Sequence, residues 1–228
     1  MYVLHIGNKN YSSWSLRPWV LMRALGIPFE ERLTPFPGGP SFDFYRAFSP
    51  NGRVPCLVDD GWTVWDSLGI VEYLAERHQG VWPTDARARA WARSAAAEMH
   101  SSFTALRNDC PMCCGVRVAL SRMSAALKHD VFRLGDLWND GLGRFGGPFL
   151  AGDRFTAVDA FFAPVAFRAQ SFGLVFEGAA ASYPKRLLDL PAMVEWYAAG
   201  LAEAWREPGH EAEVAAAGAL VEDLRATA

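Results

Sequence analysis

The sequence lacks a long hydrophobic run, a strong excess of charge of one sign, and a cysteine pattern typical of a disulfide scaffold. No apolar segment approaches the roughly 20 residues that a membrane-spanning helix needs, and the first residues lack the basic and hydrophobic regions of a signal peptide. A net charge of -3 gives no electrostatic reason to expect a nucleic acid or an anionic membrane as a partner. These absences leave small molecules or proteins as partners, and they make the cytoplasm the expected location.

The four cysteines give no strong sign of a functional cluster. Cys110, Cys113 and Cys114 lie close together, whereas Cys56 stands alone. A zinc site would need a fourth ligand, and a redox-active dithiol normally sits at a strand-to-helix junction rather than inside a helical region. We therefore expect reduced, partly buried thiols and no metal.

The first part of the chain, residues 1–82, alternates strand and helix patterns. The predicted elements are a strand at 2–6, a helix at 15–25, a strand at 28–33, a short irregular helix within 41–48, strands at 56–58 and 63–65, and a last helix that Asp66 and Ser67 open. Asp59-Asp60-Gly61 is a hairpin turn signal between the last two strands. The order is βαβαββα, an α/β domain.

The second part, residues 83–228, is rich in Ala, Leu, Arg and Glu and shows no convincing strand pattern. Pro83-Thr84-Asp85 is a helix-start signal, and the sequence predicts helices over 85–107, 115–145 and 191–205, with a last helix in the tail beyond Glu211. Thr156 and Asp159 have the spacing of a capping box in front of a buried helix. The composition therefore predicts an all-α second domain.

A hydroxyl-rich segment lies where the first strand gives way to the first helix. It contains Ser12, Ser13 and Ser15. A helix that begins here directs unpaired backbone N–H groups and the positive end of its dipole at whatever lies beside Ser12, which favours an anion. The alternative is that one of these serines only caps the helix.

These features together resemble a cytosolic glutathione S-transferase, which has a thioredoxin-like N-terminal domain followed by an all-helical domain. The segment Ser12-Ser13-Trp14-Ser15-Leu16-Arg17 is similar to the serine-rich active-site segment of the zeta class, whose members include maleylacetoacetate isomerases. The resemblance implies that Ser12 is the catalytic residue. Ser13, Ser15 and Tyr11 remain alternates, because the backbone turn cannot be resolved from the sequence.

Two further motifs carry the resemblance and imply a glutathione site. Asn51-Gly52-Arg53-Val54-Pro55 resembles a family segment, with Gly52 in place of that segment's first proline; in the family the bond before the second proline is cis and the preceding backbone pairs with the cysteinyl part of glutathione. Asp66 and Ser67 match an acidic residue and a serine at a helix start, which implies that Ser67 holds the γ-glutamyl carboxylate and Asp66 faces the γ-glutamyl amine. The alternatives are an edge strand with a turn at Val54-Pro55 and an ordinary Asp-Ser helix cap.

The implied chemistry is stabilisation of the glutathione thiolate. A free thiol has a pKa of about 8.5, so a hydroxyl donor and a helix dipole are needed to favour the anion at neutral pH. Met99, Phe103 and Arg107 share one face of the predicted helix over 85–107, where they would wall the electrophile site. Arg107 could pair with an acidic substrate such as maleylacetoacetate. The alternative is that Met99 and Phe103 are core residues and that Arg107 is solvated.

The sequence thus predicts a glutathione S-transferase that conjugates a small electrophile or isomerises one between cis and trans forms. Glutathione would be its co-substrate, and the resemblance implies a homodimer in which the N-terminal domain of one subunit contacts the helical domain of the other. The alternative is a non-catalytic protein of the same fold with a binding or regulatory role.

Overall fold

The computed structural model describes residues 1–39 and 41–227. Its first part contains a four-stranded mixed sheet in the order β2-β1-β3-β4, in which β1 is parallel to β2 and antiparallel to β3. The elements are β1 (Tyr2–Ile6), α1 (Ser13–Ala24), β2 (Phe29–Leu33), α2 (Phe42–Tyr45), β3 (Cys56–Asp59), β4 (Trp62–Val64) and α3 (Ser67–Ala75). The predicted order βαβαββα is confirmed.

Local sequence signals explain this part of the fold. Leu4 and Ile6 are fully buried in β1, and each apolar side chain of this kind contributes about 1.5–3 kcal/mol by leaving water. Asp60 and Gly61 have φ angles of 47° and 83°, the left-handed pair that a two-residue hairpin loop requires between β3 and β4. The predicted hairpin is therefore confirmed, with the glycine where its positive φ is needed.

The second part is mainly helical. Its elements are α4 (Ala86–Ser101), α5 (Thr104–Asp109), β5 (Val116–Leu120), α6 (Ala125–Phe145), α7 (Ala157–Phe172), a 3-10 turn (Gly178–Ser182), α8 (Tyr183–Leu188), α9 (Pro191–Ala202), α10 (Pro208–Ala217) and β6 (Gly218–Asp223). The predicted combination of a thioredoxin-like domain with a helical domain is confirmed. The domain boundary after residue 82 stays a prediction.

The second part contains two strands that the sequence analysis missed. We expected residues 115–120 to begin a helix and the tail beyond Glu211 to be helical throughout, but β5 and β6 form an antiparallel pair. Val116 and Val118 are buried on one face of β5, which suits β-branched side chains. The partner strand lies about a hundred residues further along the chain, so local periodicity could not reveal the pairing.

The predicted helix over 85–107 is broken into two. Asp85 caps α4 through the N–H groups of Arg87 and Ala88, as its helix-start signal indicates. The helix ends at Ser101, and Phe103 takes a left-handed conformation with φ 60° and ψ 44° before α5 begins. The α5 backbone is then held by the Asp130 carboxylate, which accepts from Leu106 N at 2.9 Å.

Helix α7 lies at the centre of the molecule, where it packs against α1, α4 and α8. The predicted capping box is confirmed at its start: the fully buried Asp159 carboxylate accepts from Thr156 N and Leu150 N, each at 3.0 Å, and from the Tyr183 hydroxyl at 2.7 Å. The two parts of the chain therefore share one hydrophobic core. Among the described residues, no helix has the length and apolar character needed to cross a membrane.

Candidate active site

A cleft lies between the start of α1 and the helical part of the chain. It consists of two adjoining cavities of about 400 and 150 Å³, which share Trp14, Arg53 and Val54 as lining residues. The larger cavity is also lined by Tyr11, Ser12, Ser13, Phe36, Ser41, Tyr45, Arg107, Pro111, Met112, Arg168, His210 and Glu213. The smaller one is also lined by Asn51, Pro55 and Asp66. The cleft thus brings the serine segment together with two of the predicted glutathione motifs.

Ser12 occupies the residue before α1, but its side chain does not cap the helix. The Ser12 hydroxyl instead donates to Ser15 Oγ at 2.6 Å, and Gly7 N donates to the same Ser15 oxygen at 3.2 Å. The simple capping role is therefore wrong for Ser12. Ser13 N–H donates to Tyr11 O at 2.8 Å, and among the described residues no side chain caps the first N–H groups of α1.

The other candidate hydroxyls differ in where they lie. Ser13 lines the larger cavity, whereas Ser15 is fully buried and lies behind Ser12. The Tyr11 ring also lines the cavity, but its hydroxyl donates to Glu211 at 2.5 Å and accepts from Arg225 at 3.2 Å. Burial and the Glu211 carboxylate raise the pKa of Tyr11. The Tyr11 proton is thus directed away from the cavity, towards the C-terminal segment.

The Val54-Pro55 bond is cis, as the resemblance implies. Val54 lines both cavities, and the exposed Arg53 lies beside it. Asp66 lies at the other side of the smaller cavity, where one carboxylate oxygen accepts from Leu68 N at 2.9 Å and so caps α3. Its second oxygen lies 3.4 Å from His100 Nε2. Asp66 therefore caps a helix and also faces the cleft.

Ser67 lies deeper than the resemblance implies. It is fully buried and lines neither cavity, and its hydroxyl accepts from Arg17 Nη1 at 3.4 Å. The expectation that Ser67 holds the γ-glutamyl carboxylate stays a prediction, and in this structure its hydroxyl has the Arg17 guanidinium as a partner. The sequence analysis assigned no role to Arg17, although an arginine within a mainly apolar helix was a signal.

Trp14 lines both cavities, and two positively charged side chains lie against its ring. The Arg17 guanidinium lies 4.1 Å from the ring centroid and the Arg107 guanidinium 5.0 Å from it. The His100 ring meets Trp14 edge to face at 5.2 Å. Cation–π contacts of this kind strengthen when they are desolvated, so the Trp14 ring stabilises both guanidinium groups.

Of the three residues predicted to wall the electrophile site, only Arg107 lines the larger cavity. Arg107 lines the larger cavity, where its Nε donates to Ser102 O at 3.1 Å and its Nη2 to Met99 O. Met99 and Phe103 are 1% and 4% exposed and belong to the hydrophobic core. Their predicted place on the wall is wrong, because the chain turns at Phe103 and the three side chains do not share one helix face.

The structure adds cavity residues that the sequence analysis missed. Arg168 of α7 and Glu213 and His210 of α10 line the larger cavity together with Phe36 and Tyr45. Arg168 interrupts an apolar run, which was a detectable signal. No sequence signal pointed to the α10 residues, because their approach to the cavity depends on how the C-terminal segment folds back.

The cysteines take no part in this cleft. All four are free and buried, and burial raises the pKa of both Cys110 and Cys113 to about 12. Cys114 donates its S–H to Lys9 O at 3.1 Å. Within residues 1–39 and 41–227, no group of three His, Cys, Asp or Glu side chains is placed to share a metal ion.

Two family models match the chain. Residues 11–77 match the glutathione S-transferase N-terminal domain, and residues 119–199 match the glutathione S-transferase C-terminal domain. Together they cover well over half of the sequence, in the order in which the two domains occur along the chain. The chain therefore belongs to the glutathione S-transferase family.

The curated relatives match this chain either at low identity or over a short segment. The glutathione S-transferase-like protein OpS6 of Beauveria bassiana is 25% identical over 180 residues, which are 71% of this chain and 76% of that protein. The dichloromethane dehalogenase of Methylophilus leisingeri is 44% identical over 36 residues, which are 16% of this chain and 14% of that protein. The second likeness covers only one short segment.

Solved structures share the fold. A glutathione S-transferase from Rhodospirillum rubrum F11 has a TM-score of 0.68 at 21% identity and covers 94% of this chain and 99% of its own. Isozyme E7 from Drosophila melanogaster has a TM-score of 0.64 at 19% identity, with coverages of 100% and 99%. A glutathione transferase homolog from Burkholderia BGR1, solved with bound glutathione, has a TM-score of 0.64 at 22% identity, with coverages of 87% and 97%. At these identities the likeness shows the fold alone.

Proposed function

We propose that this chain activates the thiol of glutathione and transfers it to a small electrophile, with Ser12 as the hydroxyl that stabilises the thiolate. The observation that carries the proposal is the position of Ser12: it lines the larger cavity at the start of α1, a helix of 12 residues whose N-terminal N–H groups are not capped by any side chain that the structure describes. Val54, at the cis peptide bond, lines the same cavity. The sulfur would lie between them.

The helix and the hydroxyl act on the same equilibrium. A thiol with a pKa of about 8.5 is mostly protonated at neutral pH, so stabilisation of the anion raises the concentration of the nucleophile. The positive end of α1 and a charge-assisted hydrogen bond from Ser12 both favour the thiolate. Neither requires the serine to lose its proton.

Ser15 supports Ser12 in this arrangement. Hydroxyl hydrogens rotate, so the 2.6 Å contact between the two serines can run in either direction. When Ser15 donates to Ser12, the Ser12 hydrogen is released for the sulfur, while Gly7 N–H still donates to Ser15 Oγ. We therefore assign Ser15 a positioning role.

The transfer step needs no further reactant. The thiolate sulfur attacks the electrophilic carbon, a sulfur–carbon bond forms, the bond to the leaving group breaks, and the leaving group departs with the electron pair. The proton lost from the thiol goes to solvent. With a halide as the leaving group, the products are the thioether, the halide ion and a proton.

The rest of glutathione would lie across the smaller cavity. We place its cysteinyl backbone at Val54, beside Pro55 and Arg53, and its γ-glutamyl ammonium at the Asp66 oxygen that faces the cleft. Burial lowers the pKa of the nearby His100, which disfavours the protonated form of the ring beside Asp66. Ser67 would act on this end indirectly, through Arg17.

The direct test is conjugation of glutathione to chlorodinitrobenzene by the natural sequence and by Ser12→Ala. We expect measurable turnover in the natural protein and a loss of about 3-fold to 10-fold in kcat/KM at neutral pH in the variant. Calorimetric titration with glutathione is the second measurement. Absence of both binding and turnover would contradict the proposal, whereas binding without turnover would favour the non-catalytic alternative.

Cis–trans isomerisation of an acidic electrophile, as in the zeta class, is a second candidate. The position of Arg107 in the larger cavity supports it, because a guanidinium there can pair with a carboxylate. In that reaction the thiolate would add to a double bond, rotation would follow, and the same sulfur would leave, so no atom is gained or lost. Turnover of maleylacetoacetate tests this candidate separately, because a conjugation rate does not predict it.

We also propose a cytoplasmic homodimer. Phe42, Phe44 and Trp62 are 54%, 52% and 69% exposed on the first part of the chain, and exposed aromatic residues of this size are common at subunit contacts. Light scattering of the purified protein should give the mass of two chains. The mass of one chain at micromolar concentration would contradict the proposal.

A further inference from the structure

Three guanidinium groups reach the larger cavity, and two of them come from the helical part of the chain. Arg107 lies on α5 and Arg168 on α7, whereas Arg53 is exposed at the rim. Glu213 is the one carboxylate among the described residues that line this cavity, and it is exposed. An exposed carboxylate is hydrated and screened, so it offsets little of the positive potential at the inner wall.

Arg168 is the most confined of these cations. It is 4% exposed, its Nη1 donates to Cys110 O, and its Nε has no hydrogen-bond partner among the described residues. Burial and the nearby Arg107 guanidinium lower the pKa of Arg168 to about 10, so the group is still charged at neutral pH. A buried cation that faces another cation is costly unless an anion joins them.

Arg17 extends the same positive region beneath the cavity wall. It is fully buried, and its Nε and Nη2 have no partner in the described part of the chain. Its guanidinium and that of Arg107 both contact the Trp14 ring. Arg17 does not line the cavity, but at this depth its charge is weakly screened and adds to the potential there.

We propose that Arg107 and Arg168 bind an anionic group of the second substrate, so that the preferred electrophile carries a carboxylate or sulfonate on an aromatic or apolar body. The inference rests on the proposed transferase function and specifies its substrate class. Phe36, Tyr45 and Met112 provide apolar surface in the same cavity for the body of such a molecule. The fork of an arginine suits a planar anion because it can donate two parallel hydrogen bonds.

The two arginines are placed for the second substrate rather than for glutathione. Both belong to the helical part of the chain and line only the larger cavity. The predicted glutathione residues Pro55 and Asp66 line only the smaller one. An anion at Arg168 would therefore sit beyond the sulfur, where the electrophile must approach.

The test compares two probes that have no leaving group. Calorimetry of the glutathione-loaded protein with dinitrobenzoate and with dinitrobenzene measures the preference for the anion as the ratio of the two dissociation constants. Charge-assisted hydrogen bonds predict a preference of about 10-fold or more, and we expect Arg168→Met and Arg107→Met each to reduce it towards one. Raising the salt concentration should weaken dinitrobenzoate binding and leave dinitrobenzene binding little changed.

Two variants make the test independent of misfolding. Arg168→Lys keeps the charge and should retain part of the preference, whereas Arg154→Met removes an exposed arginine just before the same helix and should retain all of it. Thermal unfolding of each variant shows whether it is folded. Equal affinity for the two probes in the natural protein would overturn the proposal, and so would an unaltered preference in folded Arg168→Met.

The outcome is separable from that of the transferase proposal. If the arginine variants weaken the binding of glutathione itself and leave the preference between the probes intact, the arginines belong to the glutathione site and the inference is wrong. If chlorodinitrobenzene is not conjugated but the preference for dinitrobenzoate holds, the anion site is supported and the transferase proposal fails alone.

Discussion

The sharpest prediction concerns the pKa of glutathione bound beside Ser12. Replacing Ser12 by Ala removes one hydrogen bond to the thiolate, and hydrogen bonds to charged groups contribute about 1.5–3 kcal/mol. Because 1.36 kcal/mol corresponds to one pKa unit, the pKa of the bound thiol should rise by about one to two pKa units in the variant. The ultraviolet absorbance of the thiolate, followed as the pH is raised, measures this pKa directly.

The rate should respond less than the pKa. A rise of the thiol pKa by one to two units lowers the thiolate fraction at neutral pH by at most about 10-fold to 100-fold, and a more basic thiolate is also more nucleophilic. The two effects together give the expected loss of about 3-fold to 10-fold in kcat/KM. The loss should shrink as the pH is raised, because the thiol then ionises without help.

Ser15→Ala and Ser13→Ala complete the test. Ser15→Ala removes the acceptor of Gly7 N–H and the partner of Ser12, so we expect a smaller rise in the pKa of the thiol and a loss of about 1–3 kcal/mol in the free energy of unfolding. Ser13→Ala removes a hydroxyl from the same wall but leaves the Ser12–Ser15 pair intact, so it is the matched control. An unchanged thiol pKa in Ser12→Ala together with a raised one in Ser13→Ala would refute the reasoning.

Further predictions concern Asp159, Tyr11 and Met99. Burial raises the pKa of Asp159 to about 6 from its ordinary value of 3.8. The contribution of this group to the free energy of unfolding is therefore largest below pH 3.8 and is lost as the pH rises through 6. Asp159→Asn should remove this pH dependence from the free energy of unfolding measured in urea. Asp159→Ala leaves four donors without this acceptor and should cost about 3 kcal/mol or more. Tyr11→Phe removes the hydroxyl that donates to Glu211, so thermal stability should fall while kcat with chlorodinitrobenzene stays within about 2-fold, as expected when an interaction outside the chemical step is lost. Met99→Ala should cost about 2–5 kcal/mol in unfolding free energy and leave KM for the electrophile unaltered, because the side chain lies in the core.

Each of these has an outcome that contradicts it. An unchanged profile in Asp159→Asn would mean that the carboxyl group titrates alike in the folded and unfolded chains. A large fall in kcat for Tyr11→Phe would indicate that the Tyr11 hydroxyl activates the thiol. A raised KM in Met99→Ala, with stability intact, would place Met99 on the cavity wall after all.

Much of the fold could be predicted because its signals are local. The Asp60-Gly61 turn, the Asp85 cap and the Thr156–Asp159 box each act within four residues, so the sequence displays both partners at once. Strand β1 was also found with its observed limits, since its apolar run is short and bounded. Local hydrogen bonds and burial patterns decide these elements.

The missed elements depend on distant partners. Strand β6 exists only because β5 accepts it, and the break at Phe103 depends on Asp130 taking the backbone of α5. An alanine-rich tail and a helical periodicity were outweighed by these tertiary contacts, as weak propensities commonly are.

The candidate site divides in the same way. Local sequence patterns were enough to place hydroxyl groups at a helix start at residues 12–15 and an acidic residue at the start of a later helix, whereas the cis bond before Pro55 was implied by the family resemblance. Three features of the site follow from folding alone: Ser15 lies behind Ser12, the Tyr11 hydroxyl is bound to Glu211, 200 residues away, and Arg168 lines the cavity. The physical reason is that a helix dipole and a cap arise from neighbouring residues, whereas desolvation and charge pairing are set by whichever distant groups the folded chain brings together.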